Sequence, residues 1–158
     1  GNSSSLPLLK KQGLPDHITE LRVGETILLG SNVVTGEPFV GTKQDAFLLG
    51  AEIIELKRKP AQPRGPRGPN AFGEETTTHQ EGWRQRAILG IGRQDIAVDG
   101  ITPTLLGAEL VGGSSDHLII DVTKSQRKLD VGDIIYFRLD YGGLLRAMTS
   151  DYVAVTYR

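Results

Sequence analysis

The sequence contains no cysteine. That excludes disulfide bonds, a thiolate nucleophile and any zinc site built on cysteine. It also lacks an apolar run approaching the roughly 20 residues that cross a bilayer as a helix, so no membrane partner is expected. An excess of one charge is missing too. The 18 Lys and Arg residues against 19 Asp and Glu leave a formal charge of -1, with no bulk attraction for nucleic acid. The opening run Gly1-Asn2-Ser3-Ser4-Ser5 has neither the basic region nor the apolar core of a secretory signal. A cytoplasmic protein is the expectation. With no initiator Met before Gly1, the chain reads as a piece excised from something longer.

Helical periodicity is scarce as well: no window of a dozen residues places apolar side chains at i, i+3, i+4 and i+7. What the chain does have is punctuation, 20 Gly and 8 Pro, between short stretches rich in Ile, Val, Leu and Tyr. Residues 51–56, 86–91, 107–111, 117–122, 134–139 and 152–157 read as strands. Several alternate imperfectly, as strands with one buried face do. An all-β barrel or sandwich follows as the fold class. The 158 residues suit one compact domain with a short appended segment. The break falls after Gly36, giving residues 1–36 and 37–158. Within the first part, 25–29 reads as a short apolar strand ending at Gly30.

One irregular stretch, 57–83, separates two strands. Its Pro60, Pro63, Pro66 and Pro69 recur every three residues, the period of polyproline II. Lying between strands and not on a free tail, it reads as an excursion over a neighbouring surface more than as a docking peptide.

The chemistry-bearing residues are dispersed. His17, His79 and His117 share no metal-ligand spacing with carboxylates. Ser114-Ser115-Asp116-His117 gathers a hydroxyl, a carboxylate and an imidazole, but neighbours in a strand point to opposite faces, so a hydrolase triad is a poor reading. Asn2-Ser3-Ser4-Ser5 offers hydroxyls and turn amides for an anion, or is simply a serine-rich end. Arg22-Val23-Gly24-Glu25 sets a fixed cation beside a glycine that lets backbone amides approach an anion.

These last two elements, Asn2-Ser3 and Arg22-Val23-Gly24-Glu25-Thr26-Ile27-Leu28-Leu29-Gly30, resemble the end of the barrel domain in the alanine racemase family, in its ornithine racemase-like branch. That family carries an Asn-Ser segment and then Arg-Pro-Gly-Ile-Ala-Leu-Tyr-Gly. The resemblance implies that Ser3 and the amides around Gly24 and Glu25 bind the phosphate of pyridoxal phosphate, with Arg22 against the pyridine nitrogen. Further along, Ile91-Gly92-Arg93-Gln94-Asp95 falls where alanine racemases have Ile-Gly-Tyr-Ala-Asp, whose Tyr is a catalytic base. Arg93 replaces that Tyr, and a guanidinium is no general base near neutral pH. Either another residue removes the proton, or Arg93 holds the substrate's carboxylate or side chain. The alternative is a surface arginine paired with Asp95 or Asp99. Ser114-Ser115-Asp116 matches the Cys-Met-Asp before a strand ending Asp121-Val122-Thr123, so the Ser115 amide and Asp116 are implied to face the active site of a partner subunit, Ser115 toward substrate and Asp116 with a catalytic role.

None of Lys10, Lys11, Lys43, Lys57, Lys59, Lys124 or Lys128 sits in the family's Schiff-base motif, which lies near the start of the barrel. By resemblance, then, 1–36 is a remnant of the cofactor-binding barrel and 37–158 a C-terminal β domain. Such a chain is expected to be inactive alone and to hold no cofactor by itself. It would partner its own N-terminal barrel and a second subunit in a homodimer acting on a small amino acid. The alternative from a different class is a stand-alone β-barrel module for binding or regulation, since fold alone does not set function.

Overall fold

Leu49, Ala51 and Ile53 are buried, while Gly50, Glu52 and Ile54 between them are exposed. This two-residue period starts strand β1 (Leu49–Pro60). The structure is a computed structural model that describes residues 3–13, 15–62, 65 and 81–157. The other strands are β2 (Trp83–Leu89), β3 (Ile101–Pro103), β4 (Glu109–Gly113), β5 (Leu118–Asp121) and β6 (Ile134–Leu139). They form one sheet in the order β3-β6-β1-β2-β5-β4, every neighbouring pair antiparallel. Its edge strands β3 and β4 approach each other, so the sheet curls into a nearly closed barrel. Closure covers the unpaired edge groups that an open sheet leaves exposed.

Irregular alternation in the sequence has a structural cause. On β1, Ile53 pairs with Leu89 but Glu55 pairs with Ile88, so Ile54 is an extra residue, a β-bulge. The bulge shifts the phase by one: the buried positions before it are odd-numbered, and after it Leu56 packs on the core. A second bulge separates Leu110 from Gly112 on β4. The barrel interior is filled by Ile53, Leu89, Leu118, Ile120, Ile135 and Phe137, all essentially inaccessible to solvent.

Several expectations need correcting. The strand at 152–157 does not form: those residues are irregular and mostly exposed, and Tyr152 is 82% exposed. An alternating pattern needs a partner strand, and among the described residues this segment has none, although Val153 packs against the core. The stretch 25–29 is a helix, α2 (Glu25–Leu29), closed by Gly30 at φ 68°; a five-residue apolar run fits either element. Two further helices are α1 (Leu6–Gln12) and α3 (Tyr141–Met148). The irregular excursion is also shorter than 57–83, because β1 runs through Pro60, which pairs with Trp83. Pro63, Pro66 and Pro69, the rest of the proline repeat, lie outside the described residues. No helix among those described is long and apolar enough to cross a membrane.

Candidate functional site

The site residues singled out in the sequence fall into two groups. The first lies in the N-terminal segment. Ser3–Ser5 form a 3-10 turn that leads into α1, where proline in the first turn removes a donor that has no acceptor anyway. Twenty-one residues later the chain returns, and the Gly24 N–H donates to Ser3 Oγ at 3.2 Å. Gly24 is the N-cap of α2, and a Cβ at this position would meet nothing within 4 Å. As the first helical amides, those of Glu25 and Thr26 have no intrahelical acceptor. Thr26 itself is only 2% exposed, and among the described residues its buried hydroxyl has no hydrogen-bond partner. Arg22 is exposed on the approach to this helix. Ser3, Gly24 and Glu25 are therefore neighbours, with Arg22 two residues away along the chain. Asn2 lies outside the described residues.

The second group sits at one end of the barrel, where the loop after β2 meets the β4–β5 turn. That turn is tight: Ser114 N–H donates to His117 O at 2.8 Å, and His117 N–H donates back to Ser114 Oγ at 3.2 Å. His117 is thereby held as a turn residue, with Asp116 exposed beside it. The neighbouring loop docks through its backbone, Arg93 N–H on Ser114 O at 2.9 Å and Gln94 N–H on Ser115 O at 3.0 Å. Such an approach requires a glycine: a methyl group at buried Gly92 would run into the backbone of Ser115 and Asp116. Arg93 is half-buried, and its Nε donates to Gly113 O at 2.9 Å. Arg93, Ser115 and Asp116 are thus brought together across 22 residues of sequence.

Asp95 turns inward, 4% exposed, and its Oδ1 accepts the Ser150 hydroxyl at 2.7 Å. Asp99 is exposed and makes no ion pair among the described residues. Ser150 and Arg146, which hold this loop from the other side, escaped sequence reasoning. Their only signal there would have been the helix they extend, which the two glycines of its first turn conceal. Among the described residues no three His, Asp or Glu side chains converge as a metal site, and no bond links the two groups of candidate residues.

Comparison with known proteins gives a consistent answer. No family model matches the chain. It is 48% identical over 153 residues to the ornithine racemase of Acetoanaerobium sticklandii, an alignment covering 97% of this chain and 43% of that protein. To the lysine racemase of Thermotoga maritima it is 40% identical over 157 residues, 99% of this chain and 44% of that protein. The chain thus spans less than half the length of these curated relatives. Among solved structures it is similar to the biosynthetic alanine racemase of Pseudomonas aeruginosa, with TM-score 0.55 and 18% identity over 86% of this chain and 37% of that one. The alanine racemase of Acinetobacter baumannii gives TM-score 0.53 and 20% identity over 94% and 41%. The chain is therefore a homologue of amino-acid racemases along nearly its whole length, and its fold is that of an alanine racemase-like β domain.

Proposed function

We propose that this chain is the C-terminal part of a pyridoxal phosphate-dependent racemase acting on a basic amino acid. In this reading 1–36 belongs to the cofactor-binding barrel and 37–158 reaches over the barrel of a second subunit. The observation that carries it is the joining of Arg93 to Gly113 and Ser114, and of Gln94 to Ser115, which sets a guanidinium, a backbone turn and the Asp116 carboxylate at one end of the barrel.

The N-terminal residues fit the phosphate of the cofactor. A serine hydroxyl and the unused first amides of a helix are donors suited to a dianion, and Gly24 leaves the approach open. Ser3, Gly24 and Glu25 would hold the phosphate, and Arg22 would lie near the pyridine nitrogen. When bound, the cofactor supplies an electron sink that acidifies the α-C–H of the substrate. Arg93 does not take that proton, since a guanidinium stays protonated at any working pH. It binds substrate by charge and by its planar fork. The Ser115 backbone borders the substrate, and Asp116, an exposed carboxylate in that turn, is the group assigned to accept or return a proton. The chain's similarity to an ornithine racemase and a lysine racemase favours a substrate with a second cationic group.

The test is to assay D- and L-ornithine and lysine with this chain alone and with the longer polypeptide that includes the proposed barrel. Racemisation is expected only from the longer polypeptide, since none of the seven lysines here lies in the Schiff-base context. Turnover by this chain alone, or a longer polypeptide inert toward both amino acids, would overturn the reading.

A further inference from the structure

The loop that carries Arg93 is gripped from two sides. On one side are the β4–β5 contacts already described. On the other, α3 and the turn after it supply a separate set of bonds. Arg146 reaches across with Nε on Gln94 O and Nη2 on Arg93 O, both at 3.3 Å. Ser150 donates to Asp95 Oδ1 at 2.7 Å and accepts the Tyr152 N–H at 3.1 Å. Asp95 is two residues from Arg93 and sits in a turn where its N–H and that of Ile96 both donate to Gly92 O. Its carboxylate is buried. Burying such a group is costly unless a donor meets it, and Ser150 is the donor here.

The far side of this grip is rigid in turn. Asp140 caps α3 by accepting the Gly143 N–H at 2.7 Å, its own N–H donates to Gly100 O at 2.8 Å, and a methyl group at Gly143 would collide with Gly100. A side chain with the four torsions of arginine is aimed only if its backbone and its Nε are both fixed. The β4–β5 turn fixes the Nε, through Gly113. From the other side, α3 and Ser150 fix the loop.

We propose that Ser150, Asp95 and Arg146 form a latch that positions Arg93 for substrate binding, so that Ser150 and Arg146 are positioning residues without touching substrate. The proposal rests on the reading that Arg93 works in the active site. In the longer polypeptide, Ser150→Ala is expected to lower kcat about tenfold and to raise KM, because a misplaced guanidinium both orients and binds the substrate less well. Ser150→Thr keeps the hydroxyl and should retain at least about half of kcat. Arg146→Ala, an exposed site that leaves folding intact, should cost about threefold. The second readout is exchange of the Arg93 Nε–H with solvent, followed by NMR in the same polypeptide, which should quicken about tenfold in Ser150→Ala.

Loss of activity in Arg93→Lys with near-normal kcat in both Ser150→Ala and Arg146→Ala overturns the latch and keeps the site. A lowered melting temperature with kcat and Nε–H exchange unchanged overturns it likewise, marking the contacts as structural only. Near-normal kinetics in Arg93→Lys instead removes the site reading. Nε–H exchange then decides alone whether the latch orients Arg93.

Discussion

At the scale of single residues, the decisive positions are Gly92 and Arg93. Gly92 lets two loops share backbone hydrogen bonds at a separation no side chain tolerates. Gly92→Ala is expected to destabilise the fold by about 1–3 kcal/mol, the usual cost of forcing a methyl group into packed backbone, read as a lower urea midpoint at unchanged m-value. Arg93→Lys keeps the charge but loses the planar fork and the Nε bond to Gly113. If Arg93 binds substrate as proposed, racemisation by this variant of the longer polypeptide should fall on the order of 100-fold. The sequence made this much of the site legible only through resemblance, since 22 residues separate Arg93 from Ser115 and no spacing rule connects them. The Asp95–Ser150 contact, 55 residues apart, had no signal. A buried carboxylate and an exposed one look the same in a sequence.

Elements show a different balance. Five of the six sheet strands overlap stretches whose composition announced them, because β-branched runs bounded by glycine are local signals. The three-residue β3 (Ile101–Pro103) is too short to carry one. Helix α3 (Tyr141–Met148) begins with two glycines that depress helix propensity, so its existence rests on the Asp140 cap and on Leu144 and Ala147 packing inward. Asp140→Ala should therefore cost about 1 kcal/mol, seen as a lower melting temperature, and should loosen Arg146 from the Arg93 loop.

On β1 a charged cluster supplies a pH-dependent feature. Hydrogen bonds from Lys57 and then Lys59 hold the Glu55 carboxyl below its ordinary value of 4.5. A carboxyl depressed on folding stabilises the fold above its unfolded value. That contribution disappears as pH falls through the lower folded value. The carboxyl carbon of Glu55, followed by NMR, should titrate below pH 4.5 and return toward it when Lys57 and Lys59 are both replaced by Met. An unchanged midpoint in that double variant would refute the pairing.

For the whole molecule, exposed apolar side chains occur from Leu8 to Tyr157, and those of the N-terminal segment bear on the proposed barrel. Leu8 is 59% exposed, Ile27 68%, Val34 66% and Val40 76%, all in or just after the segment assigned to the barrel remnant. Scattered exposed hydrophobics are ordinary on any protein, but here three, Leu8, Ile27 and Val34, belong to the part proposed to continue into another domain. The β domain has its own filled core, whereas α1 and α2 contribute only Thr26 as a buried side chain. If a barrel covers this segment, Ile27→Asp should act differently in the two settings. In this chain alone it replaces an exposed side chain and should change stability by less than about 0.5 kcal/mol. In the longer polypeptide it should cost at least about 2 kcal/mol, the burial energy of an isoleucine side chain together with the desolvation of a carboxylate. Chemical unfolding of both polypeptides, each with and without the substitution, measures the difference. Equal small effects would mean that Ile27 stays in solvent and that the domain boundary after Gly36 does not mark the edge of a barrel.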